Sequence, residues 1–141
     1  MNDKTITLYN YYPKNKIWLK TVIKNVEYRQ TSKEIISSNG ILTYTKILTC
    51  IVPCEAKAED NKTYIDCSSF EKLSLEEAKN HFTFNFINNK DIVVAESIDK
   101  EITKDYTITN LKAEHIKSGT IIALDDNTEG RLLKHWKVVC K

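Results

Sequence analysis

Residues 129–141 read EGRLLKHWKVVCK, and their reading decides between two kinds of protein. If His135 and Trp136 line one pocket, the stretch is the floor of an active site. If they point apart, it is the last strand of a scaffold. Neighbouring side chains in a strand face opposite sides of the sheet. Trp136 then shares a face with Leu132, Val138 and Cys140, and His135 shares the other with Leu133, Lys137 and Val139. An apolar face backed by a mixed one is the pattern of a half-buried strand. Trp136 is expected in a core or an interface, and His135 and Lys137 at a surface or an interface. A general base needs a group within hydrogen-bond reach, and the sequence offers His135 none.

The same period of two recurs outward from this end. Thr120–Leu124 and Leu132–Cys140 read as a hairpin across the loop DDNTEGR. Asp91–Ala95 is a short strand, and Phe82, Phe84 and Phe86 alternate with Thr83 and Asn85. Thr5–Tyr9 places Ile6 and Leu8 on one face, and Asn10–Lys16 is a turn around Pro13. Ile17–Tyr28 is rich in β-branched and aromatic residues and predicts a long strand or a bent pair. Ser37–Gly40 (SSNG) predicts a tight turn, because Asn-Gly tolerates positive φ at both central positions. Ile41–Val52 then runs as a strand, with Ile41, Ile47 and Ile51 on one face and Leu42, Tyr44, Leu48, Cys50 and Val52 on the other. Pro53 ends it, since proline cannot donate to a central ladder.

Helical signals are few. Ser74-Leu75-Glu76-Glu77 is a capping box that opens a short helix to about His81, and Thr109–His115 reads as one helical turn. Glu55–Asn61 reads as a solvated loop. About seven strands and one clear helix predict a mainly β protein, a small barrel or sandwich with long loops. At 141 residues the chain is expected to be one β-rich domain over 1–141. Phe84, Trp136 and Ile47 are expected in its core. With 3 glycines and 2 prolines, the 12 asparagines must supply many of the turns.

Composition argues against several functions. There are 21 basic and 19 acidic residues, net +2. Nucleic-acid binders usually show a basic patch or stripe. Only Arg29 and Arg131 are arginines among those basic residues, and arginine forks dominate phosphate and base readout. No run approaches about 18 apolar residues, so no membrane span is expected, and the N-terminus lacks the apolar run of a signal peptide. The chain is expected in a cytosol, with its four cysteines reduced.

Candidate chemistry is sparse. Cys50 and Cys54 form C-x3-C, with Cys67 and His81 downstream. A structural zinc site wants two tight ligand pairs, and only one pair here is tight. Asp125-Asp126 beside Asn127 and Glu129 is expected to be a plain turn, because no full calcium loop follows. Nucleophile elbows, glycine-rich phosphate loops and H-E-x-x-H are absent. No catalytic residue, metal ligand or cofactor is therefore expected. The aromatics point to contact surfaces instead. Tyr9, Tyr11, Tyr12 and Trp18 crowd one turn, and such residues are enriched at interfaces. With His135 and Lys137 they are the interface candidates, and core capping is the competing explanation. Tyr-rich strands near lysines could also stack single-stranded nucleic acid, as in an OB-like barrel.

Four segments fall in a familiar order: TITLYNYY, IWLKTVIKNVEY, NKDIVVAES and DDNTEGRLLKHWKVVCK. Together they resemble the small minor-capsid, head–tail connector proteins of tailed phages and prophages of Gram-positive bacteria. The matching pieces are Thr5–Asn10, Trp18–Val26 and Asp126–Val139; residues 54–80 match only loosely. Cys140 stands where a glycine is more usual, and Ala95-Glu96 replaces a glycine-containing turn. The resemblance implies a structural protein of the virion neck, assembled in the host cytoplasm and of stopper or head-completion type. It would form a ring of itself, a hexamer or dodecamer, between an adaptor or portal-side ring and a tail terminator or tail-tube ring. Packaged DNA would pass through the channel without sequence-specific contact, and no membrane is involved. The alternatives are an OB-like nucleic-acid-binding barrel or a tail-side structural protein.

Overall fold

The sequence folds as a mainly β protein around a closed antiparallel barrel of six strands. The computed structural model describes residues 3–141, without the side chains of Lys33, Ile35, Thr43 and Tyr44. Strand β1 (Lys4–Tyr12) pairs with β2 (Ile17–Ile36), and β2 with β3 (Leu42–Pro53). Two short strands, β4 (Lys57–Ala58) and β5 (Thr63–Tyr64), follow, separated by a 3-10 turn. Helices α1 (Cys67–Lys72) and α2 (Leu75–Ala78) lead to β6 (His81–Phe82), β7 (Ile92–Val94) and α3 (Ile108–Glu114). The chain ends in β8 (Ser118–Asp126) and β9 (His135–Cys140). The barrel runs β1-β2-β3-β9-β8-β7 and closes through β7 on β1, while β4 adds to the side of β2. Two three-strand meanders thus meet at both seams. The wall has six strands and is closed, unlike the five-stranded, partly open OB-fold.

Alternation builds the core. In β9, Trp136, Val138 and Cys140 are buried while His135, Lys137 and Val139 are half-exposed. Ile6 and Leu8 of β1, Leu48, Cys50 and Val52 of β3, and Val93 and Ile121 join them inside. Phe82 and Phe84 close the interior, with Phe84 5.9 Å from Trp136 and 5.8 Å from Tyr64 between ring centroids. Gly119 is needed where β8 passes β9, since a Cβ there would sit 3.0 Å from Cys140 Cβ and from Lys141 N.

Several expectations change. Ile47 is only half-buried and stands outside the core. Its parity explains this, because Val52 pairs with Trp136, so the even-numbered positions of β3 face inward. Phe86 is 42% exposed, since the chain leaves extended structure after Phe82 and the period of two no longer applies. Leu132 and Leu133 precede β9 and do not share its faces; they are 85% and 86% exposed. At the other hairpin only Gly40 has positive φ, at 83°, so Asn39 does not share the left-handed role. The side chain of Tyr44 lies outside the described residues.

Helix α2 stops at Ala78, three residues short of His81. Helix α1 was not foreseen, although Asp66 caps it by accepting from Ser69 N at 3.1 Å. Residues 55–61 are also more ordered than a loop: Ala56 and Ala58 pack on the core, and Glu59 accepts from Val22 N at 3.0 Å.

Outside the barrel, two further layers cover one side. Ile98 and Leu111, from the segment carrying α3, bury Tyr9, Ile92 and Val94 on the outer face of β1 and β7. Phe70 and Ala78 of α1 and α2 bury Tyr12. A buried polar knot ties these parts together. Asp91 Oδ1 accepts from Tyr11 N at 2.9 Å and from Asn88 Nδ2 at 3.0 Å, and its Oδ2 accepts from Asn10 Nδ2 at 2.7 Å. Asn10 in turn bonds both backbone groups of Thr83, donating to its carbonyl at 2.6 Å and accepting from its N–H at 3.2 Å.

Candidate interface: the hairpin arm and the uncovered wall

Strand β2 is 20 residues long, far longer than the barrel needs. Its partner β1 ends at Lys4, opposite Val26, and β9 ends at Cys140, opposite Leu48. Asn25, with φ of 64°, sits where the register of β1 and β2 shifts between Lys4 and Thr5. Bulges of this kind bend a strand and increase its twist, and here β2 leaves the wall just beyond one. Past that point β2 and β3 pair only with each other, from Thr31 opposite Ile47 to Ile36 opposite Leu42. Among the described residues no strand pairs with the outer edges of this ribbon. Six rungs at about 3.4 Å give an arm roughly 20 Å long.

The arm ends in an apolar tip. Ile36, Ile41 and Leu42 are 71%, 57% and 45% exposed around the Ser37–Gly40 turn. The turn is held by Gly40 N donating to Ser37 O at 2.9 Å and Ser37 N donating to Ile41 O at 3.0 Å. An isolated two-stranded ribbon is marginal in water, and the exposed apolar groups of this one cluster at its end.

The barrel wall at the base of the arm is also uncovered. Ile47, Thr49 and Ile51 of β3 lie beside Lys137 and Val139 of β9, all half-exposed, and Ile122 of β8 is 42% exposed. The helical layers sit on the other side, on β1, β7 and the β1–β2 hairpin. His135 stands at the end of this wall, its Nδ1 bonded to Leu133 O and its Nε2 3.3 Å from Asn127 Nδ2. His135 and Lys137 therefore lie on the open face.

The four clustered aromatics divide. Tyr9 and Tyr12 are fully buried, and their hydroxyls donate to Lys100 O at 2.7 Å and Leu73 O at 2.6 Å. Burial pushes the Tyr9 hydroxyl well above its ordinary pKa. Both rings belong to the molecule's own packing and present no surface. Tyr11 and Trp18 stay half-exposed as a cross-strand pair, with ring centroids 4.7 Å apart and Lys90 Nζ 4.7 Å above Tyr11. The arm was not foreseen, because its sequence RQTSKE carries no apolar periodicity. The signal available was the SSNG turn between two long β-branched runs.

The cysteines scatter. Cys50 lies inside the barrel, where burial pushes its thiol up to about 12, and Cys140 beside it is raised too. Cys54 is exposed past the end of β3, and Cys67 is half-buried on α1. Among the described residues no three His, Cys, Asp or Glu side chains converge on a point. Thiolate is the reactive form, so a thiol reagent at neutral pH should label Cys54 first and Cys67 more slowly. Cys50 and Cys140 should react only on unfolding, as peptide mapping would report; rapid native labelling of Cys50 contradicts this placement.

Asp126 makes a turn, accepting from Thr128 N at 2.9 Å and Thr128 Oγ1 at 2.6 Å, and these bonds hold its carboxyl below the usual range. An open groove of about 740 Å³ lies beside β4, lined by Lys24, Lys57, Glu59, Asp60, Lys62 and Asp99 among others. Its Lys62 is tied down, donating to Lys20 O at 2.7 Å and Thr21 Oγ1 at 3.2 Å. Burial lowers its pKa. This lysine braces β2.

No curated protein and no solved structure matches the chain. A family model described as a family of unknown function (DUF6751) matches residues 1–141, so the chain belongs to that family.

Proposed function

We propose that the protein is a structural subunit of the neck of a tailed phage, assembling as a ring that closes the DNA-filled head and docks the tail. One observation carries this reading: the arm of residues 31–47, a two-stranded ribbon that leaves the barrel and ends in exposed Ile36, Ile41 and Leu42. A two-stranded ribbon by itself is marginal in water, and packing against a partner would stabilise it. The open wall of β3, β9 and β8 supplies a second contact face at its base. The sequence resemblance at both ends of the chain supplies the setting. A closed ring repeats one heterologous contact around its axis, so modest surfaces suffice for each subunit. In this setting the adaptor or portal-side ring lies on one side and the tail terminator or tail tube on the other. DNA passes through the channel without base readout.

Deleting the gene from the phage tests this. The expected result is normal shells, with DNA-filled heads and tails that remain separate, or heads that leak DNA. Loss of shells, or fully infectious particles, rules out the neck role. Many copies along the tail tube would assign the protein to the tail instead.

A further inference from the structure

We infer that the arm tip carries a self-modification site: Asn39 converts to aspartate and isoaspartate through a succinimide closed by the backbone nitrogen of Gly40. The site stands whether or not the protein is a ring subunit. Asn39 is exposed. Gly40 is the one glycine of the chain that follows an asparagine; Gly119 follows Ser118 and Gly130 follows Glu129. The reaction needs an attacking nitrogen that no side chain crowds, and glycine lacks the Cβ that would stand in the way. The hairpin itself demands this neighbour. Gly40 holds φ of 83° directly after a turn closed by its N–H on Ser37 O, the pattern of a tight turn followed by a left-handed glycine. The residue that shapes the arm therefore also opens Asn39 to attack.

A solvent base takes the proton of Gly40 N, the nitrogen bonds to Asn39 Cγ, and the Cγ–Nδ2 bond breaks with release of ammonia. Water then opens either carbonyl of the ring and leaves aspartate or isoaspartate. Native bonds oppose the first step. Gly40 N donates to Ser37 O at 2.9 Å, and Asn39 Oδ1 accepts from Ser37 Oγ and from Ile41 N. These bonds close the end of a ribbon whose strands pair only with each other, and such a ribbon is marginal. Its end opens locally while the barrel stays folded. Other asparagines are held more firmly. Asn10 is buried against Thr83 and Asp91, Asn85 and Asn88 accept from backbone N–H groups two residues on, and Asn110 closes the cap of α3. The product puts a carboxylate among exposed Ile36, Ile41 and Leu42. Isoaspartate also adds a carbon to the main chain of a turn whose length sets the pairing of Ile36 with Leu42, because loop length fixes hairpin register.

Peptide mapping of the purified protein held at mildly alkaline pH, native or unfolded in guanidinium, tests this. In the native chain Asn39 should lose its amide first of the 12 asparagines, giving isoaspartate and aspartate. Its rate should stay within about a hundredfold of the rate in the unfolded chain, whereas conversion through global unfolding alone would slow it about 10³-fold or more. Asn39→Gln keeps the glycine of the turn and should abolish the early acidic drift on anion exchange. The fraction with isoaspartate at this position, separated from fresh protein, should exchange its backbone amides faster over residues 31–47 and no faster in the barrel. Native conversion slower than about a hundredfold below the unfolded rate, another asparagine converting first, or an undiminished drift in Asn39→Gln overturns the site. Coincident amide exchange in the aged and fresh arms overturns the effect on the hairpin.

Discussion

Replacing Phe84 by alanine should lower stability by about 3–5 kcal/mol, the usual cost of deleting a buried phenylalanine ring. For a chain of this size that corresponds to roughly 6–20 °C in Tm. Phe84 is 1% exposed and touches three other rings, with centroids 5.7 Å from Phe82, 5.8 Å from Tyr64 and 5.9 Å from Trp136. These rings come from separate parts of the chain and close the barrel interior together. The cavity left behind cannot be filled by one neighbour without moving the others. Phe86→Ala is the control: that ring is 42% exposed, and surface changes usually stay within about 0.5 kcal/mol. Denaturant titration of both variants gives the comparison. Equal losses at Phe84 and Phe86 would mean that the strand continues through both, and the break after Phe82 would be wrong.

The contrast between these two phenylalanines shows what the sequence could carry. Parity inside a strand is local, so the inward sets of β1 and β9 were legible from alternation alone, whereas both faces of β3 carry apolar residues and Ile47 was expected inside although its face points out. Where a strand ends is not local. Phe86 fits the pattern of Phe82 and Phe84, and only the turn Asn85 makes, accepting from Ile87 N at 2.9 Å and Asn88 N at 3.1 Å, removes it. Nor does alternation reveal which outer faces become covered. Tyr9 and Tyr12 are buried by residues 58 or more positions away, in α1, α2 and the α3 segment. The arm was hidden for the opposite reason. Residues 29–34 are polar on both faces, so no amphipathic signal announces the outgoing half, and cross-strand hydrogen bonding carries β2 on to Ile36, while the returning half was legible within the strand expected at Ile41–Val52. The candidate site was half-legible: His135 and Lys137 came from strand parity, while the arm tip depends on where strands stop.

Asp91 should give the second large effect, and one that changes with pH. The carboxylate is 1% exposed, and the groups that bond it are all neutral: Tyr11 N, Asn88 Nδ2 and Asn10 Nδ2. Burial raises its pKa to about 6 from 3.8, against the pull of these donors. Asp91→Ala leaves the donors facing a void. At about 1–3 kcal/mol for each buried unsatisfied group, less the relief of removing a buried charge, the loss should be about 2–4 kcal/mol at pH 7. Asp91→Asn keeps the shape but turns an amide donor toward another donor, so it should also destabilise. The pH dependence follows from linkage. The folded carboxyl holds its proton more tightly than the unfolded one, so its contribution is fully present below about pH 4 and is lost as pH rises through 6. A shift of about 2 units corresponds to roughly 3 kcal/mol. Asparagine lacks this titration. The deficit of Asp91→Asn relative to wild type should therefore be larger at pH 4 than at pH 7, by up to about that amount. Urea unfolding of both proteins at the two pH values measures it. A deficit that grows toward pH 7 would mean that the three donors outweigh burial and hold the carboxyl below its ordinary value. A deficit independent of pH would mean that Asp91 titrates alike in the folded and unfolded chain.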